Sequence, residues 1–278
     1  MQKRCFALSV RFVLSFFFLF ILAGAAALWL LGSTLTAVEP HPVALPADLA
    51  ARAQPLSLPA GPGQTVAASF LPGGGKGALL LLIDLPGQGA STSSAVTFGL
   101  REAEGVRSAL DYLRRQAPGQ RIGVIGVSLG AASLVLCRDC PRVDAAVLES
   151  MYPSIEEAVQ DRLRIRLGAL GAPLARLLLW QLPLRLDIQP SQLRPIARIG
   201  ELRVPLLIAA GSEDRHTLLP ETERIYAAAG APKSLWVVQG AAHQDLHAFA
   251  PAEYERRIGA FLACHVSMEE EGAEVAGR

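Results

Sequence analysis

The chain has 278 residues, 51% of them hydrophobic, and a formal net charge of +1. That is enough apolar material for one large α/β domain or two small ones. With acids and bases interspersed, few aromatics and no basic stripe, a nucleic-acid partner is excluded.

Residues 12–31 are apolar, with Ser15 their only hydroxyl. About 20 residues at about 1.5 Å each cross a hydrocarbon core of about 30 Å. Lys3, Arg4 and Arg11 precede this stretch and the next charge is Glu39. The positive-inside bias then puts the N-terminus in the cytoplasm and the rest across the membrane. A cleaved signal peptide, which would give a secreted protein, is the alternative. Its apolar core is usually shorter, roughly 7–15 residues, and no convincing small-x-small cleavage site follows Leu31. Residues 1–32 are therefore expected to form an uncleaved single-pass anchor. Residues 33–55, with Pro40, Pro42, Pro46 and Pro55, are expected to be a stiff spacer. The acidic tail 267–278 is expected to be disordered.

The globular domain is expected over 56–266. Thr65–Phe70 and 77–84 have strand character, separated by Pro72-Gly73-Gly74-Gly75. Leu79-Leu80-Leu81-Leu82-Ile83 is apolar at every position, as a parallel strand buried on both faces requires. Residues 98–116 have helical spacing, with Val106, Leu110 and Leu113 on one face and Pro118-Gly119 as a stop. Strands follow at 121–125, 143–149, 206–210 and 235–238, and helices at 221–229 and 251–263. This alternation predicts an α/β fold, a mostly parallel sheet with helices on both faces. Residues 154–198 interrupt it with a helical, Leu- and Arg-rich segment, expected to be a cap over the site. Its Leu and Trp content, close to a membrane, points to an apolar group on the substrate.

Ser128 lies in Gly126-Val127-Ser128-Leu129-Gly130, between the strand at 121–125 and a run of helix formers. That is the setting in which G-x-S-x-G forms a nucleophile elbow. Gly126 and Gly130 let neighbouring backbone pass close to the turn, and the helix that follows aims free N–H groups at the reaction site. A serine hydroxyl is a weak nucleophile and needs a base, itself oriented by a carboxylate. Asp214 follows the strand at 206–210 in Gly211-Ser212-Glu213-Asp214, and His243 follows the strand at 235–238 in Gly240-Ala241-Ala242-His243. Ser128, Asp214 and His243 thus fall at strand ends on one edge of the sheet, in the chain order this fold uses. Glu213 is the rival acid, with the poorer offset after the glycine turn. His216 and His247 are expected to face solvent, while His41 falls in the spacer and His265 near the frayed end.

Four cysteines are present. Cys137-Arg138-Asp139-Cys140 has C-x-x-C spacing but sits at a helix end before Pro141. It is expected to close the helix, with a local disulfide in an oxidising compartment rather than redox activity. No Cys/His set has zinc-ligand spacing, so no metal and no cofactor is expected.

Together these residues resemble the α/β-hydrolases of the serine aminopeptidase/esterase-like group, from about Ala67 to Leu262. The resemblance includes Asp84-Leu85-Pro86-Gly87-Gln88-Gly89-Ala90-Ser91, similar to that group's D-x-x-G-x-G-x-S loop. It also takes in Thr97-Phe98-Gly99, the Ser128 elbow, Glu149-Ser150-Met151-Tyr152-Pro153 and the Asp214 and His243 loops. It implies Ser128 as nucleophile, His243 as general base and then acid, Asp214 as its orienter, and the Leu129 N–H in the oxyanion hole. The chain departs from the pattern in one place. Members of the group have a strand ending in His-Gly, a helix and another strand before the D-x-x-G-x-G loop, and no His-Gly occurs here. A unit of roughly 30 residues is missing, and with it the loop that supplies the second oxyanion donor. Leu85 or Gly87 is the candidate substitute; Pro86 has no N–H to give.

The expectation is a membrane-anchored, extracytoplasmic serine hydrolase acting through an acyl-enzyme. Its substrate is expected to be a small, lipophilic ester, or a thioester or amide. The alternative is a catalytically impaired hydrolase fold kept as a binding or scaffolding protein.

Overall fold

Helix α1 (Gln2–Leu35) contains Leu14–Leu35, a segment long and apolar enough to cross a membrane, whose apolar window is not buried by the rest of the protein. It leads into a domain seen in a computed structural model that describes residues 2–37, 45–82 and 95–267, the side chains of 2–13 aside. Within the proline-rich segment, α1 continues to Leu35, α2 (Ala47–Ala50) follows Pro46, and strand β1 begins at Gln54. The acidic tail from residue 268 onward lies outside the described residues.

Strands β1 (Gln54–Pro59) and β2 (Thr65–Phe70) pair antiparallel, turning through Gly61 and Gly63, both at positive φ. The second sheet is wholly parallel: β3 (Ala78–Leu82), β4 (Ile122–Val127), β5 (Ala145–Glu149), β6 (Leu206–Gly211) and β7 (Lys233–Val238), in that order across the sheet. Residues of β5 and β6 are buried throughout, which is why these strands read as unbroken apolar runs rather than alternating ones. Side chains nevertheless alternate between two cores. Val124, Ala146, Leu148, Leu206 and Ile208 face Val106 and Leu110 of α3 (Glu102–Gln116), Leu134 of α4 (Leu129–Leu136) and Ile225 of α8 (Leu219–Ala228). Ile125, Val147, Leu207 and Ala209 face Leu246 of α9 (Leu246–Phe249) and Ile258 of α10 (Pro251–Val266). The doubly covered sheet is therefore present as read from the sequence.

Two features differ in detail from the pattern. Helix α3 starts at Glu102 rather than near Phe98, because the Glu102 carboxylate accepts bonds from the Thr97 and Gly99 amides and the Thr97 hydroxyl (2.6, 2.9 and 2.5 Å). This clamp holds Phe98 and Gly99 at positive φ in a turn. Second, β3 is an edge strand with Leu79 and Leu81 about half exposed. A cavity of about 1210 Å³ separates it from the β1–β2 pair, lined by Leu56, Val66, Phe70, Leu80 and Tyr112 among others. Among the described residues, β3 alone closes this side of the parallel sheet. Cys137 and Cys140 form the local disulfide expected at the end of α4, and Cys264 is a free, exposed thiol.

The segment between β5 and β6 is helical, as expected for 154–198. Helix α5 (Ile155–Leu167) packs against α6 (Gly171–Leu179), and α7 (Leu182–Leu186) and a series of 3₁₀ turns follow. The reversal falls at Gly168, at positive φ, and at Gly171, where a Cβ would meet the Arg164 amide nitrogen at 2.6 Å.

Candidate active site

Strand β4 ends in the elbow. Ser128 has φ 48° and ψ −107°, a conformation costly for a residue with a Cβ and retained where the surroundings over-determine it. The Ser128 amide donates to the Glu149 carbonyl of β5 at 2.8 Å, and its carbonyl accepts from Ala132 at 3.1 Å, starting α4. The flanking glycines are required by close approach. A Cβ on Gly126 would meet Ala131 at 2.8 Å, and one on Gly130 would meet the Leu82 carbonyl at 2.2 Å. Leu129 opens α4, whose first-turn N–H groups have no intrahelical acceptor.

Asp214 and His243 emerge from β6 and β7 at the same edge of the sheet. Their loops are tied together by backbone. Ser212 donates to the Val238 carbonyl (3.0 Å), Glu213 to the Ala241 carbonyl (2.9 Å), and the Gly240 amide to Ser212 Oγ (2.8 Å). Gly211 admits this approach, since a Cβ there would stand 2.1 Å from the Ala241 oxygen. Asp214 is buried and accepts four bonds: from the His216 and Thr217 amides (2.8 and 3.0 Å), the Thr217 hydroxyl (2.7 Å) and His243 Nδ1 (2.8 Å). Burial works against its ionisation, but the bonds from His243 and Thr217 outweigh it and hold the carboxyl below the ordinary Asp value. A carboxylate can only accept, so Nδ1 of His243 carries the proton and Nε2 is left as the base. Glu213 is exposed and takes no part.

The three sequence-predicted residues therefore share one sheet edge, and two of them are joined by a hydrogen bond. Among the described residues no hydrogen bond links the Ser128 hydroxyl to His243. Leu85 and Gly87, the candidates for the second oxyanion donor, lie outside the described residues.

His216 corrects an expectation. It is half-buried rather than solvent-facing, its ring centroid is 5.1 Å from that of His243, and its Nδ1 is buried without a partner. Burial, then the charges of His243 and Arg162, push its pKa below the ordinary histidine value. His247, by contrast, is exposed and faces Glu255.

Buried acids flank the site. Glu149 bonds the Tyr254 hydroxyl of α10 at 2.5 Å, and burial raises its pKa to about 7. Asp161 of α5 meets Glu221 of α8: burial raises both, the Asp161 charge raises Glu221 further, to about 8, and the bond from Glu221 lowers Asp161. Sequence reasoning missed Glu102, Thr217 and Tyr254. Of these, Thr217 had a legible mark, an Asp-x-x-Thr spacing that lets the hydroxyl and amide close on the carboxylate.

No protein-family model matches the chain. An uncharacterised protein of Mycobacterium tuberculosis is 35% identical over 176 residues, 62% of this chain and 55% of that protein. The uncharacterised protein YqkD of Bacillus subtilis is 22% identical over 187 residues, 66% of this chain and 61% of that one. These matches thus span little more than half the length of the relatives. Among solved structures, a Pyrococcus furiosus esterase aligns with a TM-score of 0.65 at 17% identity, covering 83% of this chain and 98% of that one. The α/β hydrolase GrgF of a Penicillium species aligns at 0.60 and 15% identity, covering 78% and 99%. An acylaminoacyl peptidase of Pyrococcus horikoshii aligns at 0.57 and 13% identity, covering 80% and 43%. The chain has the α/β-hydrolase fold.

Proposed function

We propose that the protein is a membrane-anchored, extracytoplasmic serine hydrolase that cleaves a lipophilic ester, or a thioester or amide, through an acyl-enzyme on Ser128. The observation that carries this reading is the hydrogen bond from half-buried His243 to buried Asp214, at the sheet edge where Ser128 stands in a strained elbow at the head of α4. In the proposed reaction Ser128 Oγ attacks the acyl carbonyl and its proton passes to His243 Nε2. The leaving alcohol takes that proton as the C–O bond breaks. Water, deprotonated by the same imidazole, then hydrolyses the acyl-serine and restores the hydroxyl. Asp214 stabilises the imidazolium in both halves. The Leu129 N–H supplies one oxyanion donor, and Leu85 or Gly87 the second. The Cys137–Cys140 disulfide favours an oxidising compartment, in keeping with a domain outside the cytoplasm.

One observation favours a second reading. Among the described residues the Ser128 hydroxyl is not hydrogen-bonded to His243, and the sequence lacks the His-Gly loop of the resembling group, where loss of one oxyanion donor typically costs about 10²–10³ in rate. A hydrolase fold retained for binding would have both properties. Hydrolysis of p-nitrophenyl esters of graded chain length by the full chain in detergent micelles separates the two. Turnover that disappears in Ser128→Ala and His243→Ala supports the enzyme. Equal rates in all three proteins support the binding protein.

A further inference from the structure

The cap carries a face that the hydrolase reading does not use. Ile165, Leu167, Leu170, Leu177, Trp180 and Leu184 are all 45–72% exposed, on α5, α6, α7 and their connections. Around them, between Asp161 and Asp187, the chain has five arginines (Arg162, Arg164, Arg166, Arg176 and Arg185) and no Asp or Glu. Leucine and tryptophan beside arginine, without acids, is the composition of helices that lie in a membrane interface.

The position of this face is fixed by α1. Gln181 donates to the Leu28 carbonyl at 3.0 Å, and Arg185 Nη1 to Ser33 Oγ at 3.0 Å. The Arg185 guanidinium lies 3.8 Å over the Trp29 ring, and also bonds the Trp29 carbonyl. A Cβ on Gly32 would meet Gln181 Oε1 at 2.2 Å. The junction of α6 and α7 is thus seated on the last turns of the apolar helix, where it leaves the hydrocarbon. Trp180 and Leu184 are the chain neighbours of the two docked residues and share their depth. Residues 155–186 are apolar enough in composition to pass for a second span. They are instead a hairpin of helices 13 and nine residues long. At about 20 and about 14 Å these cannot cross a core of about 30 Å.

We propose that this face of the cap rests on the anionic phospholipid surface of the bilayer that α1 enters. Leu and Trp side chains lie among the upper acyl chains, and Arg166 and Arg176, which are not held by Asp161, Ala158 or α1 as Arg164, Arg162 and Arg185 are, contact lipid phosphates. The inference rests on reading α1 as a membrane span; it does not depend on catalysis.

The test uses the full chain in vesicles of phosphatidylcholine and phosphatidylglycerol whose acyl chains are brominated near the headgroup. The difference in emission between wild type and Trp180→Phe isolates Trp180, which is exposed enough to replace without loss of fold. The difference with Trp29→Phe isolates the anchor. The expected result is quenching of the Trp180 emission by about twofold, stronger with phosphatidylglycerol than in phosphatidylcholine alone. Trp180 unquenched while Trp29 is quenched would overturn the proposal, and a blue-shifted but unquenched Trp180 would assign the face to a second copy of the chain instead. Equal quenching in the two lipids would overturn the role given to the arginines. Trp29 unquenched would overturn the anchor itself.

Discussion

The Leu82 carbonyl oxygen lies 2.2 Å from where a Cβ on Gly130 would stand. The end of β3 is therefore pressed against the elbow. This contact is the physical reason for the second glycine of Gly126-x-Ser128-x-Gly130. Gly130→Ala must push β3 away or distort α4. The expected cost is about 1–3 kcal/mol of stability, read by urea unfolding, together with a large loss of ester hydrolysis. An unchanged unfolding midpoint would show that β3 is not held there.

Asp214 receives its four bonds from three amide or hydroxyl donors and one imidazole, so an amide in its place would set NH₂ against a donor. Asp214→Asn is expected to lower hydrolysis by about 10³–10⁴. The exposed Glu213, changed to Gln, should leave it within a factor of two to three, the scatter expected for surface changes. Rates of the two variants on one ester assign the acid; equal losses would contradict the assignment.

Glu149 gives a pH dependence. Its pKa is raised from 4.5 to about 7 by burial. Between those values the unfolded chain has lost a proton that the folded protein keeps, so stability falls as pH rises through this window and levels off above it. The loss is about 3 kcal/mol by linkage. Glu149→Gln keeps an acceptor for Tyr254 and removes the titration. Its melting temperature should exceed that of wild type at pH 8 and match it near pH 4. Parallel curves for the two proteins would count against the buried carboxyl.

The Cys137–Cys140 disulfide closes a very short loop at the end of α4. In the chain-entropy account so small a loop contributes about 2 kcal/mol or less. Reduction should lower the unfolding midpoint slightly and leave ester hydrolysis unchanged. Loss of activity on reduction would place the thiols in the mechanism.

Much of this was legible in the sequence, for identifiable reasons. Strands β4, β5 and β6 are buried on both faces and read as continuous apolar runs. The elbow is a local motif whose glycines are demanded by contacts made nearby in the chain. Glu102 was not legible, because a charged residue at a helix start looks like a solvated first turn unless the loop it clamps is known. His216 was read as a surface residue because its burial comes from the tertiary packing around His243, which no local pattern records. The docking of Gln181 and Arg185 on α1 joins residues about 150 positions apart. Only the folded chain brings these together.

The central claim is an activated Ser128, and it is tested most directly by treating the full chain, in detergent micelles, with a fluorescent fluorophosphonate. Ser128→Ala and His243→Ala are run beside it. Covalent labelling of the wild type that is absent from Ser128→Ala and strongly reduced in His243→Ala is the expected result. A folded wild-type protein that takes no label, or label that persists in Ser128→Ala, would contradict it.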